Sequence, residues 1–381
     1  MKNKILKLFI VAVFMSVFIC GCQKAPDGSA NGDIFHAKDS VEDEIAEIVN
    51  STGLESGSDI LEINATIGTE ENTIKIQAQT PNVQQNVYKI VLKENETLTR
   101  ELLKEFLESD LGSINDLSEE AQKEAEQLKA ENEQSEERAE VSVFGSASLY
   151  KLSDGEKTAS FSNGTSAYYQ NSILYEKCAS VYKTAGEPVL EETDYAEARN
   201  IILEKLSKIG VTEIDIYKIT QYQKESVTFY EVEFTPSYEG IGIAHEFGSV
   251  SSQEIFPLGK AWVCEESVAY LNLDACLGKV ETQEKCEDLL SWGQVEKILE
   301  TYLNAGKIIG GYNAVFTKVE FLYYPIFNED ENTLELIPIW HIYTPMSTWM
   351  ENEEMAEAFG TNGSTWSICL NAVTGEIVRS E

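Results

Sequence analysis

Three histidines and seven cysteines are the scarce chemistry-bearing side chains among these 381 residues. His245 opens the run His-Glu-Phe-Gly-Ser, and the position four residues on is Ser249, so the two-histidine zinc motif with its general-base glutamate is not formed. His36 falls in a polar tether, and His341 follows Trp340 in an apolar run, where a strand side chain is the simpler reading than a ligand. Cys178, Cys264, Cys276, Cys286 and Cys369 include no Cys-x-x-Cys pair, which argues against a zinc ribbon or a dithiol redox motif. Cys264, Cys276 and Cys286 are close in sequence, so one disulfide among them and buried free thiols are both open.

The remaining signals are weaker. Ser148-x-x-Lys151 and Ser180-x-x-Lys183 both have a serine–lysine spacing used for acyl transfer, but neither is accompanied by the further motifs of that chemistry. Gly306–Gly311 has no Lys-Ser/Thr after its last glycine and is not a phosphate loop. The acidic run Asn328–Asn332 reads as a turn between strands rather than a calcium loop. No set of residues supplies a nucleophile, a base and an oxyanion stabiliser together, so the expectation is a non-enzymatic protein with no cofactor and no metal. A convergence of His341, Trp340 and carboxylates in one pocket would reverse it.

The charge balance narrows the partners. The chain carries 29 Lys and Arg against 65 Asp and Glu, a net charge of −36. That repels nucleic-acid phosphates and anionic headgroups, and nucleic acid is excluded as a partner. At 43% apolar residues the composition is that of a globular protein with real cores.

The N-terminus specifies a location. Lys2, Lys4 and Lys7 precede the apolar run Leu8–Ile19, which is too short for an ordinary membrane span and reads as a signal-peptide core. It ends Ile19-Cys20-Gly21-Cys22, which resembles the lipobox of bacterial lipoproteins. The resemblance implies cleavage after residue 21, a lipid on Cys22 and a protein held on the extracytoplasmic face of the cell membrane, with 22–38 as a tether. An ordinary secretory signal cleaved nearby is the alternative.

The elements that follow indicate an α+β fold. Between 39 and 190 come a short acidic helix at Asp39–Asn50, a hairpin at Ile60–Ile67 and Thr73–Gln79, a strand at Val87–Leu92 and a helix at Leu98–Leu111. A charged segment at about 116–138 lacks an apolar stripe and reads as a solvated helix or linker; strands follow at Glu140–Leu152, Lys157–Ser162 and Ala167–Tyr175.

From residue 191 the order of elements repeats. The unit at 191–281 has a helix at Tyr195–Ile209, strands at Ile214–Tyr222 and Val227–Thr235, an insertion, and a closing strand at Ser267–Asp274. The unit at 289–381 has a helix capped by Ser291, strands at Val315–Tyr324 and Thr333–Tyr343, an insertion, and a closing strand at Thr365–Ala372. From Asp194 to Gly278 is 84 positions, and so is Ser291 to Gly375. Equal spacing in equal order favours a duplicated unit of one helix and three strands, its sheet buried on one face. At each closing turn Asp274 or Asn371 is placed to bond the turn's backbone, and Gly278 or Gly375 to adopt positive φ.

The closing sequence Leu-Asn-Ala-Val-Thr-Gly-Glu-Ile-Val at 370–378 resembles the end of PepSY-type domains, and Leu273–Val280 is a weaker match with Leu277 in place of threonine. Ile337-Pro338-Ile339-Trp340 is similar to the strand that often precedes that ending. The resemblance implies tandem helix-on-antiparallel-sheet units, as in extracytoplasmic regulators of sensor kinases and in lipoproteins of Gram-positive bacteria. It implies regulation or inhibition through protein contacts and supplies no catalytic residue. The insertions at Pro236–Leu258 and Pro345–Gly363 place Tyr238, Phe247, Phe256, Met346, Trp349 and Met350 on loops, where exposed aromatic and methionine side chains suit a protein partner. The competing reading is that these side chains fold back over the sheet. A lipoprotein that binds a peptide, a glycan or a divalent ion is the alternative function; the strand–helix alternation of a transporter's solute-binding protein is absent.

Overall fold

The computed structural model describes residues 34–51, 62–69, 72–79, 81, 86–109, 113–134, 149–162, 164–182, 186–189, 192–245, 247, 255–310, 315–357 and 365–381. The chain divides into two units, Met1–Glu44 and Ile45–Glu381. The first is described from residue 34, as helix. Its helix begins ahead of Asp39, inside the expected tether.

In chain order, α1 (Ile34–Val49) is followed by β1 (Glu62–Gly68), β2 (Thr73–Gln79), β3 (Tyr88–Lys93), α2 (Arg100–Leu107), β4 (Asn115–Asp116), α3 (Ser118–Gln134), β5 (Leu149–Ser153), β6 (Lys157–Ser162), β7 (Ser166–Asn171), α4 (Ser172–Tyr182) and β8 (Glu187–Pro188). Next come α5 (Glu192–Ser207), β9 (Ile214–Lys224), β10 (Val227–Pro236), β11 (Leu258–Cys264), β12 (Ser267–Asp274) and β13 (Lys279–Lys285). The rest is α6 (Trp292–Asn304), β14 (Val315–Phe316), β15 (Lys318–Asn328), β16 (Thr333–Tyr343), α7 (Met346–Glu351), α8 (Glu353–Ala356), β17 (Ser367–Asn371) and β18 (Ile377–Ser380). The class is α+β, with large antiparallel sheets and few helices.

The expected hairpin is β1–β2, in register from Glu62 with Gln79 to Gly68 with Thr73. The Tyr-rich stretch from 167 is a strand only to Asn171. There the Asn171 side chain accepts from the amides of Ile173 and Leu174, both at 3.1 Å, and opens a helix instead.

A nine-stranded sheet runs β4-β5-β6-β7-β12-β11-β10-β9-β8. Leu103, Phe106 and Leu107 of α2 and Ala198, Ile202 and Leu206 of α5 pack on one face, against Phe161, Phe234, Val263 and Leu271. Cys178 and Val181 of α4 cover part of the other, against Phe229, Trp262 and Ala269. The sheet is therefore covered on both faces, contrary to the expectation of one wet face. That is why β10 and β11 bury neighbouring residues in runs, such as 234–236 and 261–264, rather than alternate ones.

Three lysines close the C-terminal end of α2. Lys205 donates to the carbonyl of Phe106 and to Glu108 Oε2 at 2.6 Å, Lys157 donates to the carbonyl of Glu108 at 2.6 Å, and Lys208 pairs with the Glu108 carboxylate. Lysine donors at the C-terminal carbonyls of a helix satisfy groups that have no partner within the helix.

The second large sheet has the order β13-β3-β16-β17-β18, with β15 on the other edge of β16. On their shared edge, β3 pairs residues 334–336 of β16 and β17 pairs 339–343. Pro338, which has no N–H, falls where the partner strand changes, and its carbonyl accepts from Ala372 at 2.9 Å. Ser291 caps α6 in a reciprocal capping box with Gln294, whose side chain also donates to the carbonyls of Ile48 and Val49 at 3.1 and 3.2 Å.

The two segments compared in the sequence are alike in connectivity but not strand for strand. The first has four strands, β9 to β12, before its closing turn. The second has three hydrogen-bonded in series, β15 to β17, before its turn, and β18 after it. The extra strand, β11, lies in a stretch that the apolar pattern did not separate from the insertion. The closing turns differ too. The turn at Asn371 joins two strands of one sheet, whereas the turn at Asp274 carries the chain from the nine-stranded sheet into the other, where β13 pairs with β3.

Candidate functional site

The first insertion reaches the second sheet. Tyr323 of β15 donates its amide to the Gly242 carbonyl at 2.9 Å and accepts from Ala244 at 2.8 Å, so residues 242–244 run parallel to β15 as an added edge. Gly242 is required there, because a Cβ would overlap the Asp215 carboxylate. Beyond this edge Phe247 and Phe256 pack on each other at 4.8 Å and on Tyr324 at 5.8 and 5.7 Å. Phe256 is buried with Ala244, Leu322, Ile337 and Cys369. The expectation that Phe256 stands exposed for a partner is therefore corrected: apolar side chains that can cover apolar sheet do so. Phe247 and Tyr238 are half-buried.

Under this cover is a polar cluster. Tyr343 donates its hydroxyl to Glu320 Oε2 at 2.8 Å, and Lys318 Nζ lies 3.2 Å from Glu320 Oε1 and 3.3 Å from the Tyr343 hydroxyl. His341 stacks on Tyr343 at 4.0 Å, with Nε2 3.1 Å from Ser367 Oγ. His245 stacks on Tyr217 at 3.8 Å and meets the Ile243 carbonyl through Nδ1 at 3.2 Å. Burial opposes ionisation of Glu320, but the charges of Lys318 and His245 and the Tyr343 hydrogen bond outweigh it and hold the carboxyl below its usual range. Burial raises Asp215, with the Glu320 charge adding to it.

His341 and Ser367 have the separation of a base and a nucleophile, but their surroundings do not suit that role. Both are sealed, at 1% and 0% exposure. Phe247 lies 5.6 Å over the imidazole, and the Arg379 guanidinium lies 4.5 Å over Phe247. Burial pushes His341 down to about 3, against the pull of Glu320, so the ring is neutral at neutral pH and is a poor base. Its Nδ1 has no hydrogen-bond partner among the described residues, so no carboxylate orients the ring. Trp340 faces the opposite side of the sheet, 5.7 Å from Trp292 and 5.5 Å from Phe321, as strand alternation requires. His341 and Trp340 thus do not converge.

A cavity lies elsewhere. It is a cleft of about 810 Å³ between the start of α2, the end of α5 and the turn after β12. Thr97, Glu101, Lys208, Glu213, Tyr238 and Lys279 give it a mixed polar lining. The Thr99 side chain caps α2 beside it, accepting from Leu102 at 3.3 Å. Volume and polarity suit a small polar ligand.

The second insertion forms α7 and α8. Met346 and Trp349 are half-buried on α7, with Trp349 6.2 Å from Trp366, and the Met350 side chain lies outside the described residues. Cys22 lies outside them too, as do residues 140–148 of one expected strand. The acidic run at 328–332 is the β15–β16 turn: Asn328 Oδ1 accepts from the amides of Asp330 and Glu331 at 3.1 and 3.2 Å. Among the described residues no helix is long and apolar enough to cross a membrane.

The closing turns hold one surprise. Asn371 Oδ1 accepts from Val373 at 2.9 Å and Thr374 at 3.0 Å, and Gly375 has φ +74°, as expected. Gly278, however, is not left-handed. In that turn Ala275 takes φ +52°, and Gly278 serves as a close approach, where a Cβ would stand 3.1 Å from Leu92. The Ala275 amide donates to Ser166 Oγ at 3.0 Å. Asp274 remains exposed at the head of this turn.

No family model matches the chain, and no curated protein matches it. Among solved structures it is similar to an uncharacterised protein from Eubacterium rectale, at 12% identity and a TM-score of 0.49, covering 89% of this chain and 99% of that one.

Proposed function

We propose that this protein is a lipid-anchored, extracytoplasmic binding or regulatory protein of the cell envelope, non-enzymatic and acting through protein contacts. The anchor is the lipid that the sequence around Cys22 implies, and the two segments after residue 191 are read as PepSY-like units. The observation that carries the protein-contact reading is the contrast between the insertions. The first buries Phe256 and packs half-buried Phe247 on it and on Tyr324 over the sheet, whereas the second holds half-buried Met346 and Trp349 on a short helix of their own, α7. Amphipathic side chains held on a short helix beside a packed sheet are suited to a partner surface. Photo-crosslinking in intact cells tests it: a crosslinker at Trp349 should give a discrete protein adduct, and one at buried Phe256 should not. Equal labelling at both sites, or none at Trp349, refutes this surface. Cys22→Ala should release the protein from the membrane fraction; retention refutes the anchor.

One observation favours a second reading. The cleft of about 810 Å³ gives a lipoprotein that binds a peptide, a glycan or a divalent ion a place to hold it.

A further inference from the structure

Sequence proximity groups Cys264 with Cys276 and Cys286, but the fold separates them. Cys276 turns its thiol to the Asp274 carbonyl at 3.1 Å, and Cys286 follows β13 in the other sheet. Cys264 ends β11 and meets Cys178, which projects from the buried face of α4. Cys178 and Cys264 lie in one buried cluster as free thiols. Phe229, Trp262, Ala269 and Val181 enclose the pair.

The neighbouring residues hold the two elements in the same register. Lys177, next to Cys178, pairs with Glu265, next to Cys264. Glu265 and Glu266 form the two-residue turn between β11 and β12 with φ of +51° and +58°, and Cys264 is paired with Ser267 across it. Positive φ at both central residues is the geometry of a tight hairpin whose twist matches its strands. The backbone carrying Cys264 is therefore fixed on one side by a short turn and on the other by an ion pair to α4. Two cysteines in one buried cluster, on adjoining elements whose next residues are ion-paired, are placed where a disulfide can bridge them.

We propose that Cys178 and Cys264 form a disulfide that fastens α4 to the nine-stranded sheet. The bond closes a long loop, which is where a crosslink limits the unfolded chain most. The electrons go to a small-molecule disulfide. The Cys264 thiolate attacks one sulfur of that oxidant and releases its other half as a thiol. Cys178 then loses its proton, attacks the Cys264 sulfur and expels the second half. Overall, two protein thiols and one external disulfide give one protein disulfide and two external thiols. Because the pair is sealed beneath α4, at 0% and 2% exposure, exchange belongs to folding, before α4 seats. Only the supply of an oxidant in the cell rests on the extracytoplasmic location; the pairing rests on the fold.

The test uses purified full-length protein refolded with glutathione disulfide, quenched with acid and alkylated under denaturing conditions. Non-reducing peptide mapping should recover one crosslinked peptide joining Cys178 and Cys264, two hydrogens lighter than its parts. Both residues recovered as alkylated thiols, or Cys264 joined to Cys276 or Cys286, would overturn the proposal. Dithiothreitol should lower the melting temperature of the oxidised wild type by several degrees and leave a folded Cys178→Ala variant unchanged; an equal shift in the variant would overturn it too. Oxidation of refolded protein in the tube, with reduced thiols in protein taken from cells, keeps the disulfide and places the chain in a reducing compartment. Failure of the pairing therefore reads differently from failure of the location.

Discussion

Gly375 and Gly278 occupy corresponding places in the two closing sequences, and the structure gives them different work, so the same substitution should have different effects. At Gly375 an alanine must hold φ +74°, and its Cβ would stand 2.7 Å from Ile298 Cδ1 and 3.3 Å from Ile45 Cγ2. The left-handed backbone costs about 1–2 kcal/mol for a residue with a Cβ. Forcing a methyl into a packed site adds about 1–3 kcal/mol. Gly375→Ala should therefore destabilise by about 2–4 kcal/mol, the two effects partly relaxing together. At Gly278 the backbone is ordinary and the nearest atom is Leu92 Cβ at 3.1 Å. The strain there is offset by the reduced entropy of the unfolded chain, and Gly278→Ala should stay within about 1 kcal/mol of wild type. Urea unfolding followed by tryptophan fluorescence measures both, read as a shift in midpoint at constant slope. Pairing Gly375→Ala with Ile298→Val separates the causes: the smaller side chain should recover the crowding and leave the backbone cost, a coupling of about 1 kcal/mol. Equal costs at the two glycines, or no coupling with Ile298, would refute the assignment of the left-handed position.

His341 makes stability depend on pH. Its folded pKa is about 3, below the value of about 6.5 in an unfolded chain, so the unfolded state binds the extra proton between those values. Stability should be full above about pH 6.5 and fall as pH drops towards 3, by at most about 1.4 kcal/mol per pH unit. Glu320, His245, Lys318 and Arg379 face this ring, and a His341→Phe variant measured beside wild type isolates its share of the urea-midpoint profile. Lys205→Met should cost about 1–3 kcal/mol, because the Phe106 carbonyl loses a charged donor while the apolar stem is retained; no loss in thermal unfolding would mean that the desolvated ammonium had offset its own bond. Asn371→Ala should cost about 1 kcal/mol through the turn amides of Val373 and Thr374, with Asn371→Asp recovering most of it.

Much of the fold was legible in local sequence. Thr333–Tyr343 shows as a strand because its apolar run is long and bounded by turn residues, and Ser291 shows as a cap because a helical apolar pattern opens directly after it. These signals lie within a few residues of one another, and the backbone responds to them locally. The equal spacing of the two closing sequences was equally plain, yet it did not reveal that β11 adds a strand to one segment. Strand number depends on which edge remains open for pairing, and that is set by distant chain.

The sequence by itself determined the acidic charge, the expectation of an anchor at Cys22, the α+β class and the turn chemistry of Asn371 and Gly375, since each follows from composition or from neighbours along the chain. Only the tertiary structure decided that Phe256 is covered, that Ala275 rather than Gly278 takes positive φ, that His341 is sealed beneath Phe247 and that Cys178 and Cys264 share one buried cluster. Each of these depends on two elements far apart in sequence coming to one place. Burial and ring stacking are properties of the surroundings, and no spacing rule along a single chain carries them.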